Sequence, residues 1–221
     1  QWRIRKVGRQ EIKLVKNLKK IGYIRLTQIE KSMLKVPREL FVPEKYHDEA
    51  YSDTPLPIPG DQTISAPHIH AITLSELKLK EGEKVLEIGA GSGILLAYIR
   101  EIVGDKGKVV GVEINKETYE FAKNNLKKAG YKDILLIHGD GSLGYPKYAP
   151  YDKIIVSAAS PDIPKPIIEQ LKPNGTLLII VGFPYGDQNL VKVKKTKSGK
   201  LIREEILPVI FVPLKGRYGW K

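Results

Sequence analysis

The sequence predicts an α/β fold: a doubly wound parallel sheet, preceded by a helical extension and followed by an antiparallel hairpin. Three observations carry this expectation. Residues 81–182 alternate short apolar runs with stretches of helical periodicity. Within them Val85–Gly93 reads Val-Leu-Glu-Ile-Gly-Ala-Gly-Ser-Gly, a run suited to a buried strand, then three glycines, then apolar residues at helical spacing. Lastly, Leu190–Lys195 and Leu201–Val212 flank Lys197-Ser198-Gly199, a hairpin turn.

Residues 1–80 read mainly as helices packed beside that core. Gln10–Ile21 places Leu14, Leu18 and Ile21 on one face, and Gly22 ends it. Thr27-Gln28-Ile29-Glu30 has the pattern of a capping box, opening a helix that stops before Pro37. Tyr51–Pro67 is rich in proline and lacks a period, so an irregular loop is expected; Ala71–Leu79 is helical again. The core strands are expected at Lys84–Ile88, Lys108–Ile114, Asp133–His138, Lys153–Ser157 and Thr176–Val181. Helices are expected at Gly93–Val103, Lys116–Ala129 and Lys165–Leu171, with Asn115 as an N-cap and Gly130 as a stop. Residues 1–80, 81–189 and 190–221 are thus an N-terminal layer, a ligand-binding core and a C-terminal hairpin of one structural domain. Right-handed crossovers cover such a sheet on both faces and leave the ligand outside the C-terminal strand ends.

Composition narrows the chemistry. The 221 residues include no cysteine, which excludes a disulfide, a thiolate nucleophile and a Cys-ligated zinc. The four histidines, His47, His68, His70 and His138, form no ligand cluster, so no metal site is expected. No apolar run spans a bilayer and no secretory h-region follows the basic N-terminus, so a cytoplasmic protein without membrane contact is expected. Net charge is +12, with +7 in residues 1–50 and +7 in residues 189–221, so the charge lies away from the glycine turn. A solvated lysine-rich surface, as in proteins from hot environments, accounts for this without a specific nucleic-acid partner.

The glycine turn carries the first chemical signal. Gly89, Gly91 and Gly93 let the backbone turn sharply and leave its N–H groups open to a ligand. The second strand ends in Glu113, where a carboxylate can take two ribose hydroxyls. Gly139-Asp140-Gly141 follows the third strand; Asp140 can accept from an adenine amine or serve as a helix N-cap. Ile94 stands where a dinucleotide fingerprint needs its third glycine. The Gly-x-Gly-x-Gly spacing after Glu87 instead resembles the first motif of S-adenosylmethionine-dependent methyltransferases.

The second signal is Gly60–Ala71, which includes Thr63, Ser65, Pro67, His68 and His70. As bare chemistry, Ser65 reads as the N-cap of a helix begun by Pro67, and no Gly-x-Ser-x-Gly elbow surrounds it.

Gln62-Thr63-Ile64-Ser65-Ala66-Pro67-His68 resembles a block of the protein-L-isoaspartate (D-aspartate) O-methyltransferase family. The resemblance continues through Leu86–Gly93, Gly139-Asp140-Gly141, Ala149-Pro150-Tyr151-Asp152, Gln170-Leu171-Lys172-Pro173-Asn174-Gly175, Phe211-Val212-Pro213-Leu214 and Gly219-Trp220-Lys221. It implies a Rossmann-like sheet with an unusual order at its end, and S-adenosyl-L-methionine as cofactor. It further implies methyl esterification of L-isoaspartyl, and more weakly D-aspartyl, carboxylates in damaged proteins, with repair through a succinimide. Ser65 matches the family's active-site serine. Glu87, Gly89, Ala90, Gly91 and Gly93, with Glu113 and Ile114, Asp140 and Gly141, match its cofactor contacts. Ile64, Ala66, His70, Val209 and Val212 fall where the family meets cofactor or peptide. Glu87 departs from the aspartate, and Ile69 from the methionine, of many members.

Rival functions lack support in these residues. A nucleic-acid amine methyltransferase would close its fourth core strand with Asn/Asp-Pro-Pro-Tyr, where this chain has Ser157-Ala158-Ala159-Ser160. A peptide-binding module that uses the edge of residues 201–214 would have no use for three ordered acidic and glycine strand tips.

Overall fold

The computed structural model describes residues 7–221. Helix α1 spans Arg9–Ile21 and α2 Thr27–Lys35. Gly22 ends α1 in the left-handed region at φ 94°, as its position suggests. The buried face of α1 is Leu14, Val15 and Leu18; Ile21, expected inside, is exposed. The expected capping box is not formed. Leu26 is the N-cap of α2, Thr27 is its first residue, and Glu30 takes Lys19 Nζ at 2.7 Å instead of reaching back to the backbone. Two 3-10 turns, Arg38–Phe41 and Glu44–Glu49, follow.

The expected irregular loop at Tyr51–Pro67 is in fact structured. Strands β1 (Leu56–Ile58) and β2 (Gln62–Ile64) pair antiparallel around Gly60 (φ 85°) and Asp61 (φ 56°). Pro57 lies opposite Thr63 on a two-stranded ribbon, which tolerates a missing donor, so proline density misleads here. Leu56, Ile58 and Ile64 turn into the core. The tip of this hairpin docks on the N-terminus of α5 (Lys116–Lys128): Pro59 O accepts Thr118 Oγ1 at 2.8 Å and Gly60 O accepts Asn115 Nδ2 at 3.3 Å. Helix α3 (Pro67–Leu77) begins with proline at N1.

The main sheet has seven strands in the order β5-β4-β3-β6-β7-β8-β9. These are β3 Lys84–Ile88, β4 Lys108–Glu113, β5 Leu135–His138, β6 Tyr151–Ser160, β7 Leu171–Gly182, β8 Gln188–Lys195 and β9 Leu201–Pro208. The first five run parallel; β8 and β9 are added antiparallel, each beside its predecessor. Helices α4 (Ile94–Val103) and α6 (Lys165–Glu169) complete the set, and Asn115 Oδ1 caps α5 by accepting Thr118 N–H at 3.1 Å. Alternate strand residues feed two cores. Val85, Val109, Ile155 and Leu178 pack with α1 to α4, while Leu86, Val110, Ile154 and Leu177 pack with Tyr151 and Ile167 on the other face. The expected last strand, Leu201–Val212, ends early at Pro208. Val212 O takes Ala159 N–H at 2.8 Å, and Ala159 O takes Leu214 N–H at 2.8 Å, so this segment leaves the sheet edge and laces onto the end of β6. Among the described residues no helix is long and apolar enough to cross a membrane.

Candidate active site

A cavity of about 1250 Å³ opens outside the C-terminal ends of β3, β4 and β6. Small-molecule sites commonly measure about 300–1,000 Å³, so it has room for a cofactor and the end of a second molecule. Glu87, Gly89, Ala90 and Gly91 line it at the end of β3, Glu113 and Ile114 at the end of β4, and Gly141 after β5. Ile64, Ser65, Ala66 and His70 line it too, as do Val209 and Val212 from the segment after β9. Two sequence-based candidates do not line it. Gly93, at φ 88°, is the N-cap of α4, where a Cβ would meet Leu126 Cγ at 3.2 Å; it packs α4 against α5. Asp140 uses Oδ1 to accept Ser142 N–H at 2.9 Å and Ser142 Oγ–H at 2.6 Å, and Oδ2 to accept Arg217 N–H at 2.8 Å. The N-cap reading of Asp140 therefore describes its Oδ1.

Glu113 ties the glycine turn to β4. Oε2 accepts Gly91 N–H and Oε1 accepts Asn115 N–H, both at 3.0 Å. Burial raises its pKa, and the N–H groups of Asn115, Gly91 and Ile114 counter part of that rise. Glu87 is buried more deeply. Oε1 accepts Ser157 Oγ–H at 3.1 Å, while Oε2 is buried with no partner among the described residues. Burial pushes its carboxyl well above the ordinary range; the Ser157 hydroxyl opposes this and the Glu113 charge adds to it. A register shift in β6 between Val156 and Ala159 brings Ser157 and Ala158 to the cavity, a use bulges often serve beside sites.

Ser65 is not an N-cap: Ala66 holds that position. The carbonyl of Ser65 accepts Arg38 Nη2–H at 2.9 Å. Arg38 is 1% exposed, donates also to Ala50 O at 2.7 Å, and lies 3.5 Å from His70 Nδ1. Burial lowers the His70 pKa well below its ordinary value, and the charge of Arg38 lowers it further. His68, which also lines the cavity, brings its N–H and Nδ1 to Asp53 Oδ1, both at 2.9 Å.

A family model described as protein-L-isoaspartate(D-aspartate) O-methyltransferase matches residues 9–219. The chain belongs to this family. A protein-L-isoaspartate O-methyltransferase of Hyperthermus butylicus is 50% identical over 217 residues, covering 95% of this chain and 90% of that protein. Protein-L-isoaspartate O-methyltransferase 2 of Archaeoglobus fulgidus is 53% identical over 194 residues, covering 88% of each. The solved structure of a Plasmodium falciparum beta-aspartate methyltransferase with S-adenosyl-L-homocysteine aligns at a TM-score of 0.84 and 29% identity, covering 94% of this chain and 99% of that one. The doubly wound sheet with its antiparallel end is thus the family's fold.

Sequence reasoning missed several of the site's residues. Arg38 gives no signal in a chain with 37 lysines and arginines, because only tertiary packing buries it. Tyr185, Asp187 and Gln188 line the cavity from the β7–β8 turn, which reads as an ordinary connection. Gln188 could have been found only from the chain path. It holds the next segment, donating Nε2–H to Phe211 O at 3.1 Å and accepting Phe211 N–H at Oε1 at 2.7 Å.

Proposed function

We propose that the cavity holds S-adenosyl-L-methionine across the tips of β3 and β4, and an isoaspartyl side chain between Ser65 and the Val209–Val212 wall. The activity is that of the family: S-adenosylmethionine-dependent methyl esterification of L-isoaspartyl carboxylates. The observation that carries the residue assignment is the unpartnered Glu87 Oε2, buried at the same cavity that Ser65 lines. A buried carboxylate oxygen without a donor asks for a cationic or N–H group, which the amino-acid end of this cofactor carries. Bound there, the cofactor supplies a methyl group on a sulfonium, which becomes a neutral thioether as a carboxylate oxygen takes the methyl.

The chain's own groups then have few tasks. The substrate carboxylate is ionised near neutral pH, so no strong base is needed. Glu113 offers its remaining acceptor capacity to the ribose hydroxyls while its backbone contacts keep it fixed. Ile114 and Gly141 flank the adenine, with Asp140 behind them holding the Ser142 turn. The Ser65 hydroxyl orients the carboxylate, and alignment of this kind contributes up to about 7–11 kcal/mol in well-oriented systems. Ala66 and Ile64 exclude water beside it. The substrates are damaged proteins and peptides met in the cytoplasm.

The test uses radiolabelled S-adenosylmethionine with a matched pair of aspartyl and isoaspartyl peptides. Base-labile label on the isoaspartyl peptide alone supports the proposal; equal labelling of both peptides, or labelling of RNA instead, refutes it.

A further inference from the structure

We propose that Arg38 is a positioning residue for two residues that line the cavity, fixing the Ser65 carbonyl and holding His70 as the Nε2-protonated neutral imidazole. Three of its donor groups are accounted for by Ala50 O, Ser65 O and His70 Nδ1. A guanidinium carries only donors, so the His70 nitrogen facing it must accept, and the ring's proton sits on Nε2. His70 lines the cavity, and Nε2 is the nitrogen left for it. The groups that face the ring are Arg38 from the 38–41 turn, Tyr98 from α4 in edge contact at 5.7 Å, and His68 on α3 itself. None is an anion, so nothing beside the ring favours an imidazolium, and burial opposes it.

The consequence is a hydrogen-bond donor that does not titrate, aimed at the space where two carboxylates meet on the proposed reading: that of the methyl donor's amino-acid end and that of the isoaspartyl substrate. A neutral N–H suits either, because it binds an anion without becoming a proton source that would protonate the nucleophile. Arg38 does the same for geometry. By gripping the carbonyl of Ser65 from behind, it sets the direction in which the serine hydroxyl enters the cavity.

Long-range ¹H–¹⁵N correlation spectra of the ¹⁵N-histidine-labelled protein test this directly, with His70 assigned by loss of its signal in His70→Gln. The expected result is an Nε2-protonated neutral pattern that holds from about pH 5.5 to 8. An Nδ1-protonated ring, or titration within that range, overturns the proposal whatever the enzyme's activity. This arm needs no variant of Arg38 and does not depend on the functional reading. The second arm rests on that reading and uses Arg38→Lys and Arg38→Met, with thermal midpoints recorded. Arg38→Met is expected to lower kcat/KM by on the order of 100-fold and to mix the His70 tautomers, with partial recovery in Arg38→Lys. In His70→Gln, a rise in the KM for S-adenosylmethionine assigns Nε2–H to the donor's carboxylate. A rise in the peptide KM assigns it to the substrate's. No change in either refutes a ligand-directed donor.

Discussion

Glu113 Oε2 accepts the amide N–H of Gly91 at 3.0 Å, so the end of β4 holds the glycine turn that follows β3. One side chain thereby shapes the glycine turn and, on the proposed reading, presents an acceptor to the ribose. Glu113→Ala removes both. Hydrogen bonds to a charged group contribute about 1.5–3 kcal/mol, so titration calorimetry should show S-adenosylmethionine binding weakened by about 10- to 100-fold. The peptide KM should move little; a variant with unaltered cofactor affinity would remove Glu113 from the ribose site.

Ser65→Ala should divide the parameters the other way. The backbone grip of Arg38 on residue 65 is independent of the side chain, so the wall keeps its shape. Steady-state assays should show kcat lowered by about 10- to 100-fold, the effect of losing alignment of one reacting group, with cofactor affinity measured by calorimetry unchanged. Equal losses in both would place Ser65 in the cofactor site instead.

Glu87 makes a pH prediction whose sign follows from its environment. Its carboxyl is raised well above the ordinary 4.5, chiefly by burial. A raised carboxyl favours the folded state most below its unfolded pKa, and that contribution is lost as pH rises through the folded value. Glu87→Gln should therefore raise the melting temperature of the cofactor-free protein at neutral pH and flatten its decline from acid to neutral. With S-adenosylmethionine present the order should reverse, because the wild type gains more from a cation beside an ionised Glu87. Thermal unfolding of both proteins across pH, with and without cofactor, reads this; the same slope in both proteins would show that Glu87 does not set it.

Gly60→Ala tests the hairpin over the cavity. Gly60 sits at φ 85°, and an added Cβ would lie 2.4 Å from Thr118 Oγ1 and 2.5 Å from Asn115 Oδ1. Overpacking of this kind costs about 1–3 kcal/mol. The expected result is a lower melting temperature together with weaker cofactor binding, since Gln62–Ala66 follow the displaced turn. An undisturbed cofactor affinity would uncouple the hairpin from the site.

The sheet was legible because buried parallel strands write themselves as apolar runs and because glycines mark the turn after β3. Legibility stopped where residues far apart in the chain decide the outcome. Proline at 55, 57 and 59 signals a loop, yet a ribbon stapled to α5 by Thr118 and Asn115 makes strands there. Thr27 and Glu30 have capping-box spacing, yet Lys19 on the neighbouring helix claims the glutamate. Gly93 and Asp140 sit in motifs the sequence marks, and their contacts within the chain, helix packing for one and the Ser142 turn with the Arg217 backbone for the other, could not be read from it. Family resemblance pointed to Ser65, which lines the cavity; local chemistry alone favoured an N-cap that Ala66 occupies.

Val209 and Val212 line the same cavity as Ile64, Ser65 and Ala66, so it joins segments far apart in the sequence. A growing polypeptide on the ribosome can pair β3 with β4 long before it owns a back wall. Only when Leu214 has emerged and hooked Ala159 are the two walls of the cavity together. Assembly of the site therefore waits on the contact of residues 212–214 with Ala159, and the sheet alone does not complete it.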